Sequence, residues 1–144
     1  MIAVITEAII LSTTGTRARI SIGIGTVSKT IPGNVLQSEG EAFQLSGHQL
    51  DKMKEEGRLL KIAVGFPQFQ PILASTFYLA ESLIWSWKPG QAAVISMVPI
   101  CKSQKEIAEK LNITGAAVSK ALKSGKWPAM EDFLKGYEET LKMI

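Results

Sequence analysis

The sequence predicts an α+β fold: a small strand-helix-strand module, a long connecting helix and an all-α C-terminal region. Three observations predict it. Apolar residues alternate with Arg19, Ser21, Gly23 and Gly25 at a period of two through Ala18, Ile20, Ile22, Ile24 and Thr26. From residue 68 onward apolar residues recur instead at three- and four-residue steps. Proline and glycine punctuate the chain at Pro32, Gly33, Gly57, Pro67, Pro71, Gly90, Pro99 and Pro128. With 144 residues, 46% hydrophobic and 20% charged, the chain is long enough for one domain or two small ones and far from the composition of disordered segments.

The apolar opening "MIAVITEAIILS" reads as a helix broken by "TTGTR". "RARISIGIGTVS" follows as a half-buried strand, and "KTIPGNVLQSEGE" as a loop. "EAFQLSGHQLDKMKEEG" is a helix with Phe43, Leu50 and Met53 on one face and Gly57 as its stop. "RLLKIAVGF" has the content of a short buried strand closed by Pro67. A long helix then covers 68–87, with Leu73, Phe77, Ala80, Ile84 and Trp87 on its buried face. Gln70, Ser75, Thr76, Glu81 and Ser82 interrupt its apolar run, which excludes a membrane span of about 20 residues. "QAAVISMV" is a short helix ended by Pro99, and the last helix, from about Pro128, carries Met130, Phe133, Leu134, Tyr137 and Leu141 at helical spacing. The expected organisation is an α+β module over 1–67, a connecting helix over 68–88, and an all-α region over 89–144.

Charge is uneven along the chain. Residues 101–126 carry six lysines (Lys102, Lys105, Lys110, Lys120, Lys123, Lys126) against Glu106 and Glu109, a net +4, whereas residues 127–144 carry two lysines against four acids, a net −2. The positive stretch contains "QKEIAEKLNITGAAVSKALKSG". Ser103 is placed to cap a helix, with Glu106 completing a capping box. Ile107, Ala108 and Leu111 form that helix's inner face, and Ala108 is small enough for a second helix to cross closely. Asn112 stands where the chain turns, because asparagine tolerates the left-handed conformation, and Ile113 plugs the corner. Thr114 caps a second helix whose Val118, Ala121 and Leu122 point inward, leaving Gly115, Ala116, Ser119, Lys120 and Lys123 outside. Small residues at the start of that outer face let a backbone approach base edges in a major groove, and Ser and Lys supply hydrogen bonds to bases and phosphates.

This spacing resembles the helix-turn-helix of the phage Cro and repressor type, with Asn112 in place of the usual turn glycine. The resemblance implies double-stranded DNA as partner and these contact residues: Lys102, Ser103, Gln104, Lys105, Thr114, Gly115, Ala116, Ser119, Lys120, Lys123 and Lys126. No alternating hairpin follows, so the final helix packs on a three-helix unit through Trp127 without a wing.

"RARISIGIGTV" followed by "GEAFQLSGHQLDKMKEEGRLLKIAV" resembles the last strand-helix-strand portion of the palm fold of GGDEF-type and class III nucleotide cyclases. Joined to "SQKEIAEKLNITGAAVSKAL", the layout is similar to the C-terminal two-thirds of a SatD-like bacterial protein. Asp51 and Asp132 are the only aspartates, so neither a "GDEF" signature nor paired aspartates at the spacing of a two-metal phosphoryl site is present in the sequence. The glycines of "GIGIG" fall inside a strand and outside any strand-to-helix phosphate loop. His48 is the only histidine and reads as a helix-face residue, Cys101 the only cysteine and as a buried small one. The expectation is a non-enzymatic transcriptional regulator without metal or cofactor, cytoplasmic, and a homodimer joined within residues 1–87 because two strands alone leave open edges. A non-catalytic remnant of a nucleotide-binding or cyclase-like protein, or a protein-interaction adaptor, is the alternative.

Overall fold

The computed structural model describes residues 2–31 and 38–143; the loop expected across Pro32, Gly33 and Asn34 lies outside them. The described residues form α1 (Ile2–Thr14), β1 (Ile20–Ile24), α2 (Glu41–Glu56), β2 (Leu60–Val64), α3 (Gln70–Trp85), α4 (Pro89–Met97), α5 (Gln104–Leu111), α6 (Gly115–Ser124) and α7 (Trp127–Leu141). The two strands make a parallel pair, with Ile20 opposite Leu60, Ile22 opposite Ile62 and Ile24 opposite Val64. A parallel pair needs a crossover connection, and α2 supplies it. The fold is therefore α+β. Among the described residues no helix is long and apolar enough to cross a membrane.

The chain divides into two compact units: one from Arg19 to Glu81, the other joining the segment up to Ala18 with the segment from Ser82 onward. These limits differ from the 1–67, 68–88 and 89–144 expected from sequence. α1 packs on α4 of the helical unit, burying Val4, Ile5, Ala8 and Leu11 while Ala92, Val94 and Ile95 are buried in α4. An apolar helix next to a strand in sequence docks wherever its face is covered, and its own pattern does not name that place. α3 is shared: its residues through Glu81 belong to the first unit and those from Ser82 to the second.

In the strand-bearing unit the glycines decide how α2 sits. A Cβ on Gly23 would stand 1.9 Å from the Ala42 carbonyl oxygen, and one on Gly25 or Gly65 would meet the Glu41 side chain. α2 thus lies on the Ser21-Gly23-Gly25 face, and all five residues of β1 are partly buried. Bare backbone lets a helix approach a strand this closely. The α2 face differs as well: Met53 is fully buried, but Leu50 is 45% exposed and Phe43 half-buried. Gly57 ends α2 in the left-handed region at φ 66°, its amide donating to the Met53 carbonyl.

β2 is buried through Leu60, Ile62, Ala63 and Val64, and side chains cover its outer edge. The Glu81 carboxylate accepts from the Leu59 and Leu60 amides and pairs with Arg58. Gln70 accepts from the Val64 amide at 2.8 Å and donates to the Ile62 carbonyl at 3.2 Å, which also accepts from Gln49 at 3.1 Å. All five residues expected on the buried side of the long helix are 2–4% exposed. Burial of Leu73, Phe77 and Ile84 contributes about 1.5–3 kcal/mol each before entropy is subtracted.

In the helical unit Trp87, 2% exposed, donates from Nε1 to the Gly125 carbonyl at 2.8 Å. α7 buries Trp127, Met130 and Leu134, with the Phe133 and Tyr137 rings stacked 6.4 Å apart. Arg17 closes α3: its guanidinium donates to the Ile84, Trp85 and Trp87 carbonyls at 2.9, 3.0 and 2.9 Å, favourable for a cation at a helix C-terminus.

Candidate nucleic-acid interface

α5 and α6 pack on each other, and α4 packs on α6. α5 starts where the sequence predicts. The Ser103 hydroxyl accepts from the Glu106 amide at 3.2 Å, and the Glu106 carboxylate reaches back to accept from the Lys102 amide at 2.9 Å, one residue earlier than in the usual box. That hydrogen bond, followed by the Lys110 ammonium 3.2 Å away, holds the Glu106 carboxyl below the usual glutamate range. Ile107 and Ala108 are buried, and Leu111 only partly so.

Asn112 adopts φ 52° and ψ 48°, the left-handed turn its identity predicts, and its amide donates to the Ala108 and Glu109 carbonyls. Ile113 does not plug the corner: its side chain is 40% exposed while its amide donates to the Ala108 carbonyl at 3.0 Å. The backbone bond closes this turn, so a buried side chain is not required. The Thr114 hydroxyl then accepts from the Ala117 amide at 3.1 Å and starts α6. Val118 and Leu122 are the buried positions of α6, and Ala121 is half-buried.

All eleven residues assigned to DNA from the sequence are exposed: Lys102, Ser103, Gln104 and Lys105 around the start of α5, Thr114, Gly115, Ala116, Ser119, Lys120 and Lys123 along the outer side of α6, and Lys126 just beyond it. Gly115 has open space where a side chain would stand. Among the described residues Lys110 is the only lysine of the 102–126 set in an ion pair, with Glu106; Lys102, Lys105, Lys120, Lys123 and Lys126 are in none.

Two features escaped the sequence reading. Lys126 has φ 56°, so the only two positive-φ non-glycine residues among those described, Asn112 and Lys126, bracket α6. Gly125, at φ −74°, is not left-handed; its missing side chain leaves room for Ile95, whose Cδ1 would lie 3.1 Å from an added Cβ. Ala117 is also exposed beside the assigned residues; the outward arc at 115–116 and 119–120 implied it. Cys101 is half-buried and His48 exposed on α2. No family model, curated protein or solved structure matches this chain.

Proposed function

We propose that the chain binds double-stranded DNA through α5 and α6 and acts as a transcriptional regulator, α6 entering the major groove. The observation that supports this most is the outer face of α6. Gly115, Ala116, Ser119, Lys120 and Lys123 are exposed together, small at the helix start and basic toward its end, while Val118 and Leu122 hold the helix to its unit. Small residues allow close approach to base edges, Ser119 and Lys120 offer donors to them, and the unpaired lysines provide phosphate contacts. The SatD-like layout is consistent with such a C-terminal reader.

Selection of duplexes from a randomised pool, followed by titration at several salt concentrations, tests the reading. If about three lysines touch phosphate, log affinity falls with log salt at a slope near −3. Ser119→Ala or Lys120→Ala changes sequence preference, whereas Lys102→Ala weakens every duplex alike. No binding at low salt overturns the proposal, and equal effects of all three variants on all sequences overturn the assignment of α6.

A further inference from the structure

The sheet has two edges of opposite character. Side chains of Glu81, Arg58, Gln70 and Gln49 cover the outer edge of β2. On β1 the residues that point away from β2 are Ser21 and Gly23, and among the described residues their backbone groups have no hydrogen-bond partner. The Ser21 hydroxyl is buried and also without one. Beside this edge runs a groove of about 430 Å³, lined by Ser21, by Ser38 and, on α2, chiefly by Phe43, Ser46, Gly47 and Leu50. The other face is incomplete on the same side: Leu60, Ile62 and Val64 are buried, whereas their partners Ile20, Ile22 and Ile24 remain partly exposed.

We infer that this edge pairs with β1 of a second copy of the chain, antiparallel about a twofold axis at Ile22, making a four-stranded sheet. Three properties select a second copy in this register. Ser21 of each copy meets Gly23 of the other, so four N–H to C=O bonds form, and Ile22 faces Ile22 as a non-hydrogen-bonded pair. The isoleucines fall together, Ile20 opposite Ile24 on either side of the central pair, and cover the apolar face that one copy leaves open. Charge is complementary: Arg19 falls opposite Gly25, on the side of the sheet where α2 lies, and Glu41 occupies the space over Gly25. Each Arg19, exposed and in no ion pair among the described residues, thus faces the other copy's Glu41. The two α2 helices lie side by side across the axis, where Gly47 leaves room for close approach.

The test uses the full chain at micromolar concentration. Sedimentation gives a dimer mass, and Arg19→Glu weakens dimerisation by about tenfold or more, since two symmetric attractions become repulsions. In a Cys101→Ser background, Ile22→Cys forms an interchain disulfide under mild oxidation, because a non-hydrogen-bonded pair has Cα atoms about 4.5 Å apart; Ile72→Cys, exposed on α3, does not. A monomeric chain, a dimer indifferent to Arg19→Glu, or cross-linking at 72 as readily as at 22 overturns the inference. None of these outcomes depends on DNA binding.

Discussion

Glu7 in the helical unit and Glu81 in the strand-bearing unit are the buried carboxylates among the described residues. Each pairs with an arginine that lies over an aromatic ring: Arg17 is 5.0 Å from the Trp85 ring centre, Arg58 4.4 Å from that of Tyr78. Their surroundings differ. Glu81 accepts from the Leu59 and Leu60 amides and the Arg58 Nε, so both of its oxygens are used. Glu7 accepts from the Ala18 amide at 2.9 Å, but its other oxygen has no hydrogen bond and lies 3.7 Å from Arg17, whose donors serve the end of α3. Burial pushes the Glu7 carboxyl up, and the Ala18 amide and Arg17 only partly offset it. A buried charge holds structure together in proportion to how fully its hydrogen bonds are met.

Removing Glu81 is expected to have the largest effect. Glu81→Ala leaves Arg58 and the Leu59 and Leu60 amides without their acceptor and lowers unfolding free energy by about 3–5 kcal/mol, measured by urea denaturation. A loss below about 1 kcal/mol would erase the contrast between the two sites. Arg17→Met follows, at about 1–3 kcal/mol, since three carbonyls lose a charged donor but part of that end of α3 is open to water. Glu7→Gln has the smallest effect near neutral pH, keeping an acceptor for Ala18 and removing an incompletely bonded charge. Its signature is in the pH dependence. With its folded pKa raised, Glu7 binds more proton in the folded than in the unfolded chain, so its contribution to stability declines as pH rises from about 4.3, the unfolded value, through the folded pKa. Glu7→Gln removes that decline, and an unchanged stability-pH curve would show that Glu7 ionises in the folded protein as it does in the unfolded one.

Helices α3, α5 and α6 were legible because their signals are local. Ser103, Asn112 and Thr114 act within four residues of themselves, and the face of α3 follows from spacing alone. What stayed hidden depends on distance in sequence. The docking of α1 on α4 joins segments about 80 residues apart, and no local pattern reports it. Phe43 and Leu50 looked like core because they are apolar, yet Gly23 draws the other side of α2 onto the sheet. Glu7, a lone acid in an apolar helix, was the one visible hint that an arginine had to approach α1.

The absence of a side chain at Gly23 has a consequence for how the sheet can form. A strand slipped by one residue presents its opposite face to the covering helix, and here that would bring the branched Cβ of Ile22 or Ile24 beneath Ala42, where an added carbon already stands 1.9 Å from the carbonyl oxygen. A one-residue slip is therefore excluded by collision as well as by lost burial. A folding chain that has docked α2 cannot keep a one-residue misalignment of β1 as a long-lived trap.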